Sequence, residues 1–168
     1  RLKGVGFLSR EDAINYGVTG PSGRGSGWAC DVRKRSPYAA YDKVQFDEVL
    51  YNEGDSYARY MVRMKEIEQS LHILEQLVDN IPEGDYLAKT KPIIKVPEGR
   101  YFKEVEAARG AFGIYLESRG DKFPYRLKVN SPGFNLVGAV DHMTRGSKIA
   151  DLIAIGGSLD YVVPDIDR

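Results

Sequence analysis

The alternation of apolar and polar positions divides the chain into a few readable segments. Tyr57, Tyr60, Met64, Ile67, Leu71, Leu74, Val78 and Ile81 alternate spacings of three and four. That is a heptad-like apolar stripe along one long helix. Asp55 or Ser56 can cap its start, and Pro82 and Gly84 stop it. The stripe predicts a core face or an interhelical seam. Arg59, Arg63, Lys65, Glu66 and Glu68 form a charged face, which predicts solvation. Arg59 and Arg63 are a like-charge pair one turn apart, unfavourable in isolation unless buried carboxylates offset it.

Other segments follow from the same signals. Ser9, with Asp12 three residues on, predicts the cap of a short helix ending at Gly17. Residues 17–27, "GVTGPSGRGSG", predict a loop, and Arg33–Asp42 an irregular basic and aromatic stretch. Residues 84–103 predict an extended surface loop. "AFGIYLE" and "PYRLKV" alternate around "SRGDKF", which predicts a β-hairpin. Phe134–Met143 and Lys148–Leu159 predict two further helices. The mixture predicts an α+β fold: helices around a long central one, with a small antiparallel hairpin or sheet, in one unit over 1–168.

Composition narrows the partners. Formal net charge is zero, so no global field favours nucleic acid or an anionic surface. Cys30, the single cysteine, forms no internal disulfide or all-cysteine metal site, as expected in a reducing compartment. The sequence has no run of about 18 apolar residues, so contact with a membrane is expected through partners. It opens without Met and in mid-pattern, as expected of a piece of a larger chain.

Candidate chemistry is sparse. The glycine loop lacks Gly-Lys-Ser/Thr, and no clear strand leads into it, so its glycines predict close backbone approach rather than phosphate binding. His72 and His142 each lack a second ligand one turn away and predict structural roles. Arg109, beside Gly110 at the entry to the hairpin, predicts either a strand-end charge or a side chain turned into a site. At the end, a mostly apolar segment, Ile149 to Leu159, runs into Asp160, Asp165, Asp167 and Arg168. Buried carboxylates need partners. Arginines 24, 33, 35, 59, 63 and 109 are the supply, and a solvated tail is the alternative.

"YGVTGPSGRGSG", "DVRKRSPYAAYD", "GDSYARYMVRMKEIEQSLHIL", "GIYLESRG", "PYRLKVNSPGFNL" and "ADLIAIGGSLDYVVPDIDR" occur in one order. Together they resemble the C-terminal part of the 49-kDa-type (D-type) subunit of respiratory complex I, the proton-pumping NADH:quinone oxidoreductase. That family is related to the large subunit of NiFe hydrogenases, whose fold the resemblance therefore implies. Membrane-bound hydrogenases of that lineage end in Ser-x-Asp-Pro-Cys-x-x-Cys-Thr-Asp-Arg. Here Ser158, Asp160, Asp167 and Arg168 match, but Val162 and Asp165 stand at the cysteine positions. Soft metals need thiolates, so hydrogenase chemistry is disfavoured.

The resemblance implies an old metal pocket reused for a quinone headgroup, with Asp160 and Val162 on its border. Glu106–Gly110, "EAARG", resembles the hydrogenase Ala-Pro-Arg-Gly motif, which implies that Arg109 overhangs the same pocket. It also implies a tail turned inward, with Asp167 and Arg168 in structural ion pairs. The expected substrate is a quinone. The expected partners are other complex I subunits, including membrane-arm subunits and the one carrying the terminal iron–sulfur cluster, with NAD(H) on further subunits. No metal in this chain, no nucleic acid and no membrane span are expected. The expected location is peripheral, on the cytoplasmic face of the cell membrane. A non-catalytic scaffold holding the cluster subunit is the rival role.

Overall fold

A computed structural model describes residues 1–167. The fold is α+β. The short helices α1 (Arg10–Tyr16), α2 (Gly20–Arg24) and α3 (Val32–Arg35) precede the long helix α4 (Ser56–Val78). Strands β1 (Gly99–Ala107), β2 (Gly110–Ser118) and β3 (Arg126–Asn130) form one antiparallel sheet in the order β1-β2-β3. Helices α5 (Pro132–Gly138), α6 (Val140–Thr144), α7 (Ile149–Leu159) and α8 (Val163–Ile166) complete it.

Capping sets the helix starts. The Ser9 hydroxyl accepts from Asp12 N at 3.0 Å, and Gly17 closes α1 in the left-handed region. Asp55, not Ser56, caps α4: one carboxylate oxygen accepts from Ala58 N at 2.8 Å, the other from Gly4 N at 2.7 Å. One side chain thus starts the long helix and ties the N-terminal segment to it.

The main core joins Leu8, Ala13 and Val18 to Leu136, Ile155 and Leu159, all 1% exposed or less. It sets α1, α5 and α7 against one another. A smaller cluster packs Val44 and Phe46 against Ile73 of α4. Gln76 and Gln69 hold the same segment through its backbone, accepting from Gln45 N and Asp47 N, both at 2.8 Å.

Several expectations are corrected. Residues 17–27 are not simply a loop. They contain α2, whose five residues are all buried, with Pro21 in its first turn, where its missing N–H is no loss. The basic stretch begins as a helical turn because Asp31 caps it, accepting from Arg33 N at 2.9 Å. The loop over 84–103 ends at Gly99, where β1 makes the hairpin a three-stranded sheet. Its apolar residues, Tyr101, Phe102 and Val105, do not alternate regularly with its charged ones, so no strand period reveals it. The helix expected over 134–143 begins earlier, at Pro132 behind the Ser131 cap, and breaks at Ala139 into α5 and α6.

The largest correction concerns α4. Its apolar stripe is not buried within this chain: Tyr60, Met64, Ile67, Leu71, Leu74 and Val78 are all exposed. The buried side carries Ala58, Arg59, Val62 and Ile73, so part of the charged face is the inner one. That side is held by α7 and by the 44–47 segment, which leaves the stripe on the open side.

Gly20 and Gly110 bring the glycine segment onto the tip of the sheet. A Cβ on Gly20 would lie 2.5 Å from Gly110 Cα and 2.6 Å from Arg109 O, and Gly20 has φ +68°. The sequence expectation of close backbone approach holds here. Gly20→Ala should destabilise by about 2–4 kcal/mol in urea unfolding, because steric overlap adds to left-handed strain. Gly120→Ala, also at positive φ but with open space around it, should cost about 1 kcal/mol.

Candidate functional site

Helix α7 ends among arginines. The last carbonyls of a helix lack intrahelical partners, and the helix dipole adds partial negative charge there. Arg63 donates to Ser158 O at 2.8 Å and Leu159 O at 3.5 Å. Arg109 Nε donates to Asp160 O at 2.7 Å. Arg59 Nε donates to the Ser158 hydroxyl at 3.0 Å. Guanidinium groups from two different elements therefore close the end of an apolar helix.

Each arginine is placed by its backbone. Arg59 and Arg63 sit one turn apart on the buried side of α4, facing α7. Arg109 lies in the two-residue turn between β1 and β2, since Ala107 pairs with Gly110. The Thr19 hydroxyl, accepting from Ala111 N at 2.9 Å, anchors that turn beside α2.

Arg59 is fully buried. Its guanidinium bonds to Gly6 O, Gly54 O and the Ser56 hydroxyl, as well as Ser158. Burial and the Arg63 charge lower its pKa to about 10, against the raising effect of Asp55. Burial also lowers the Arg63 pKa, while Asp160 and Glu66 act in the opposite sense. The like-charge pair is thus offset mainly by carbonyls and hydroxyls rather than by a carboxylate on each guanidinium.

Asp160 adopts the left-handed region, φ 56°, as the C-cap of α7. Few non-glycine residues do so, and aspartate is among the more tolerant. Its carboxylate lies 3.5 Å from Arg109 Nε, with both side chains partly exposed. Val162, two residues on, is half-buried in extended backbone. All three sequence-predicted residues therefore fall on one short stretch of surface: Arg109 and Asp160 in contact, Val162 next along the chain.

The remaining tail acids divide. Asp165 accepts from the Ser131 hydroxyl, which joins α8 to the start of α5. Asp167 is exposed, contrary to the ion-paired role expected of it, and Arg168 lies outside the described residues. The arginines of the glycine segment and long helix do not reach for the end of the tail. Arg24 serves other acids, and Arg59 and Arg63 stop at the end of α7.

A second polar cluster escaped sequence reasoning. Arg24, 1% exposed, donates to Glu66 at 2.6 Å and Glu106 at 2.7 Å, and lies 4.0 Å from Asp31. Glu106 also accepts from Val32 N at 3.0 Å. Asp31 is clasped by Arg33 at 2.7 Å. Burial raises the Glu106 pKa, with Arg24 opposing. For Asp31, burial is outweighed by bonds from Arg33 and the Arg24 charge, which hold the carboxyl below its usual range. Glu106 lies three residues before Arg109, so the cluster pins the strand that presents Arg109. The available signal was an acid next to "AARG" and an arginine within the glycine run.

The histidines and the cysteine stand apart. His142 Nε2 lies 3.3 Å from Asp12, and His72 is on the exposed side of α4. Cys30 is buried and its thiol pKa is pushed up to about 12 by burial. Among the described residues, no three His, Cys, Asp or Glu side chains gather as metal ligands, and no helix is long and apolar enough to cross a membrane.

Residues 1–95 and 90–168 match the family described as respiratory-chain NADH dehydrogenase, 49 Kd subunit. The chain belongs to that family. It is 70% identical over 168 residues to the C/D subunit of NADH-quinone oxidoreductase from Bacteroides fragilis, covering all of this chain and 32% of that protein. The corresponding protein of Phocaeicola vulgatus is 68% identical over the same length, again with 32% of that protein covered. The D subunit of the Desulfotalea psychrophila NADH-quinone oxidoreductase is 54% identical over 169 residues, with 45% of it covered. The chain therefore spans about a third of the C/D relatives and under half of the D-type one. Membership in the 49-kDa family gives the arginine-closed end of α7 its context.

The Asp31 carboxyl makes a pH prediction. A lowered folded pKa contributes stability that is present above the unfolded value and lost as pH falls through the folded one. Asp31→Asn should cost about 2–4 kcal/mol in urea unfolding near pH 7, since it leaves buried Arg24 and half-buried Arg33 short of a partner. The cost should shrink as pH falls below the unfolded carboxyl value of about 3.9 and on through the lower folded one. Glu106, with its pKa raised, contributes in the opposite sense and does not produce that acid-limb loss.

Proposed function

We propose that this chain supplies one wall of the quinone headgroup pocket in a proton-translocating NADH:quinone oxidoreductase. The observation that carries the reading is the contact of Arg109 with Asp160 at the end of α7, two residues before Val162, in a chain of the 49-kDa family. Relatives named as NADH-quinone oxidoreductase subunits support the reaction class. The other wall belongs to the rest of the polypeptide.

Reduction of a quinone to a quinol takes two electrons and two protons. Electrons arrive singly from an iron–sulfur cluster in a partner subunit, and NAD(H) is oxidised on further subunits. This chain shapes the pocket and its charge. A guanidinium has five N–H donors, more than the Asp160 bond uses, so Arg109 can stabilise negative charge developing on a headgroup oxygen. Asp160, beside it, tunes how readily a proton is held there. Val162 supplies an apolar surface for the ring. Acids near the pocket would link reduction to proton movement in the membrane arm. The chain lies peripherally on the cytoplasmic face of the membrane, against the cluster subunit and membrane-arm subunits.

Membranes carrying the full-length subunit with Asp160→Asn or Val162→Met test this. The apparent KM for quinone should rise about three- to thirtyfold, about 0.7–2 kcal/mol of binding. Sensitivity to a quinone-site inhibitor should change in parallel, at normal complex assembly. Unchanged kinetics in both variants would favour a scaffold role instead.

A further inference from the structure

The turn that carries Arg109 is held from both sides by polar bonds. On the β1 side, the Glu106 side chain is only 5% exposed. One carboxylate oxygen accepts from Arg24 Nη1 at 2.7 Å, the other from Val32 N at 3.0 Å. The backbone N–H of Glu106 donates to the Tyr38 hydroxyl at 3.1 Å. On the β2 side, Ala111 pairs with Glu106 across the strands and donates its N–H to the Thr19 hydroxyl at 2.9 Å. Only residues 107–110 lie between these two clamps. Farther out, Arg100 to Lys103 of β1 and four of the five residues of β3 are exposed, so the place of the turn is set at this end of the sheet. Stability alone does not call for such an arrangement, since well-packed apolar side chains often serve as well as a buried ion cluster. Charged, hydrogen-bonded partners add a defined geometry instead.

We infer that Glu106 is a positioning residue for quinone reduction: held by Arg24 and Val32, it fixes where the Arg109 guanidinium sits at the headgroup. This rests on the pocket role proposed above for Arg109. Glu106 touches no quinone and acts through Arg109, three residues on. Arg24 also donates to Glu66 at 2.6 Å, which ties the β1–β2 turn to α4. Arg63 on that same helix donates to Ser158 O at the end of α7. The turn and the helix end that meet at Asp160 therefore share one frame, and Arg109 Nε reaches Asp160 O at 2.7 Å within it. A shift of the strand by about 1 Å would misplace the guanidinium by as much, and misplacements of that size are costly to catalysis.

Glu106→Gln keeps the size of the side chain but leaves one acceptor oxygen for two donors, so either Arg24 or Val32 N is released. The test measures quinone reduction, per assembled complex, in membranes carrying the full-length subunit with Arg109→Met, Glu106→Gln or both. An interaction made with charge that develops in the transition state shows in kcat rather than in KM. Arg109→Met should therefore lower kcat. Glu106→Gln should lower it about five- to twentyfold, with KM changed less than about twofold. In the Arg109→Met background, Glu106→Gln should change kcat by less than about twofold, because the group it positions is gone. If Arg109→Met lowers kcat but Glu106→Gln does not, or acts equally with and without Arg109, the positioning role is overturned and the pocket role of Arg109 stands. A rise in KM alone would mark a merely structural fault and also overturn it. Unchanged kinetics in Arg109→Met overturn both roles. If the Glu106→Gln subunit does not assemble, the same cycle with Thr19→Val decides, since that variant loses the acceptor for Ala111 N on the other strand.

Discussion

The C-terminal end of α7 is where the elements of this fold are tied together. Its carbonyls would otherwise be left unpaired beside a core of Ile155 and Leu159. Arg63 from the long helix and Arg109 from the sheet turn take them instead. Those bonds fix α4 against α7 and bring the β1–β2 turn to the same point. The helix ends at Asp160, a left-handed residue that redirects the chain into α8.

The Arg24 cluster acts one layer behind. Glu66 lies three residues beyond Arg63 on α4, and Glu106 lies three residues before Arg109. A single buried guanidinium thus braces both of the elements that reach the end of α7. Removing one partner of such a cluster strands the others without water, so it behaves as a unit. The close approach of Gly20 to Gly110 lets α2 bring Arg24 into that position.

Much of this is legible in the sequence. Ser9, Gly17 and Asp55 announce helix boundaries through local chemistry that the structure keeps. Arg109, Asp160 and Val162 stand out through the tail and the "EAARG" motif; the fold brings Arg109 and Asp160 into contact, and Val162 follows Asp160 by two residues. The Arg24 partners are not legible, because Glu66 and Glu106 are 42 and 82 residues away and only the fold brings them together. The stripe on α4 marks a face that suits a packing partner. Periodicity does not say whether that partner lies within the same stretch of sequence. Strand β1 escapes detection because Tyr101 and Phe102 are adjacent and the apolar positions do not alternate. Asp167 shows the limit of charge counting: an acid near many arginines need not meet one of them.

Whether the tail borders the quinone headgroup is tested most directly by a quinone analogue with a photoreactive headgroup. It would be activated in the assembled complex and its attachment sites mapped by peptide mass. The account predicts crosslinks within residues 160–162 that are displaced by excess quinone. Displaceable crosslinks confined to other segments or other subunits would contradict it.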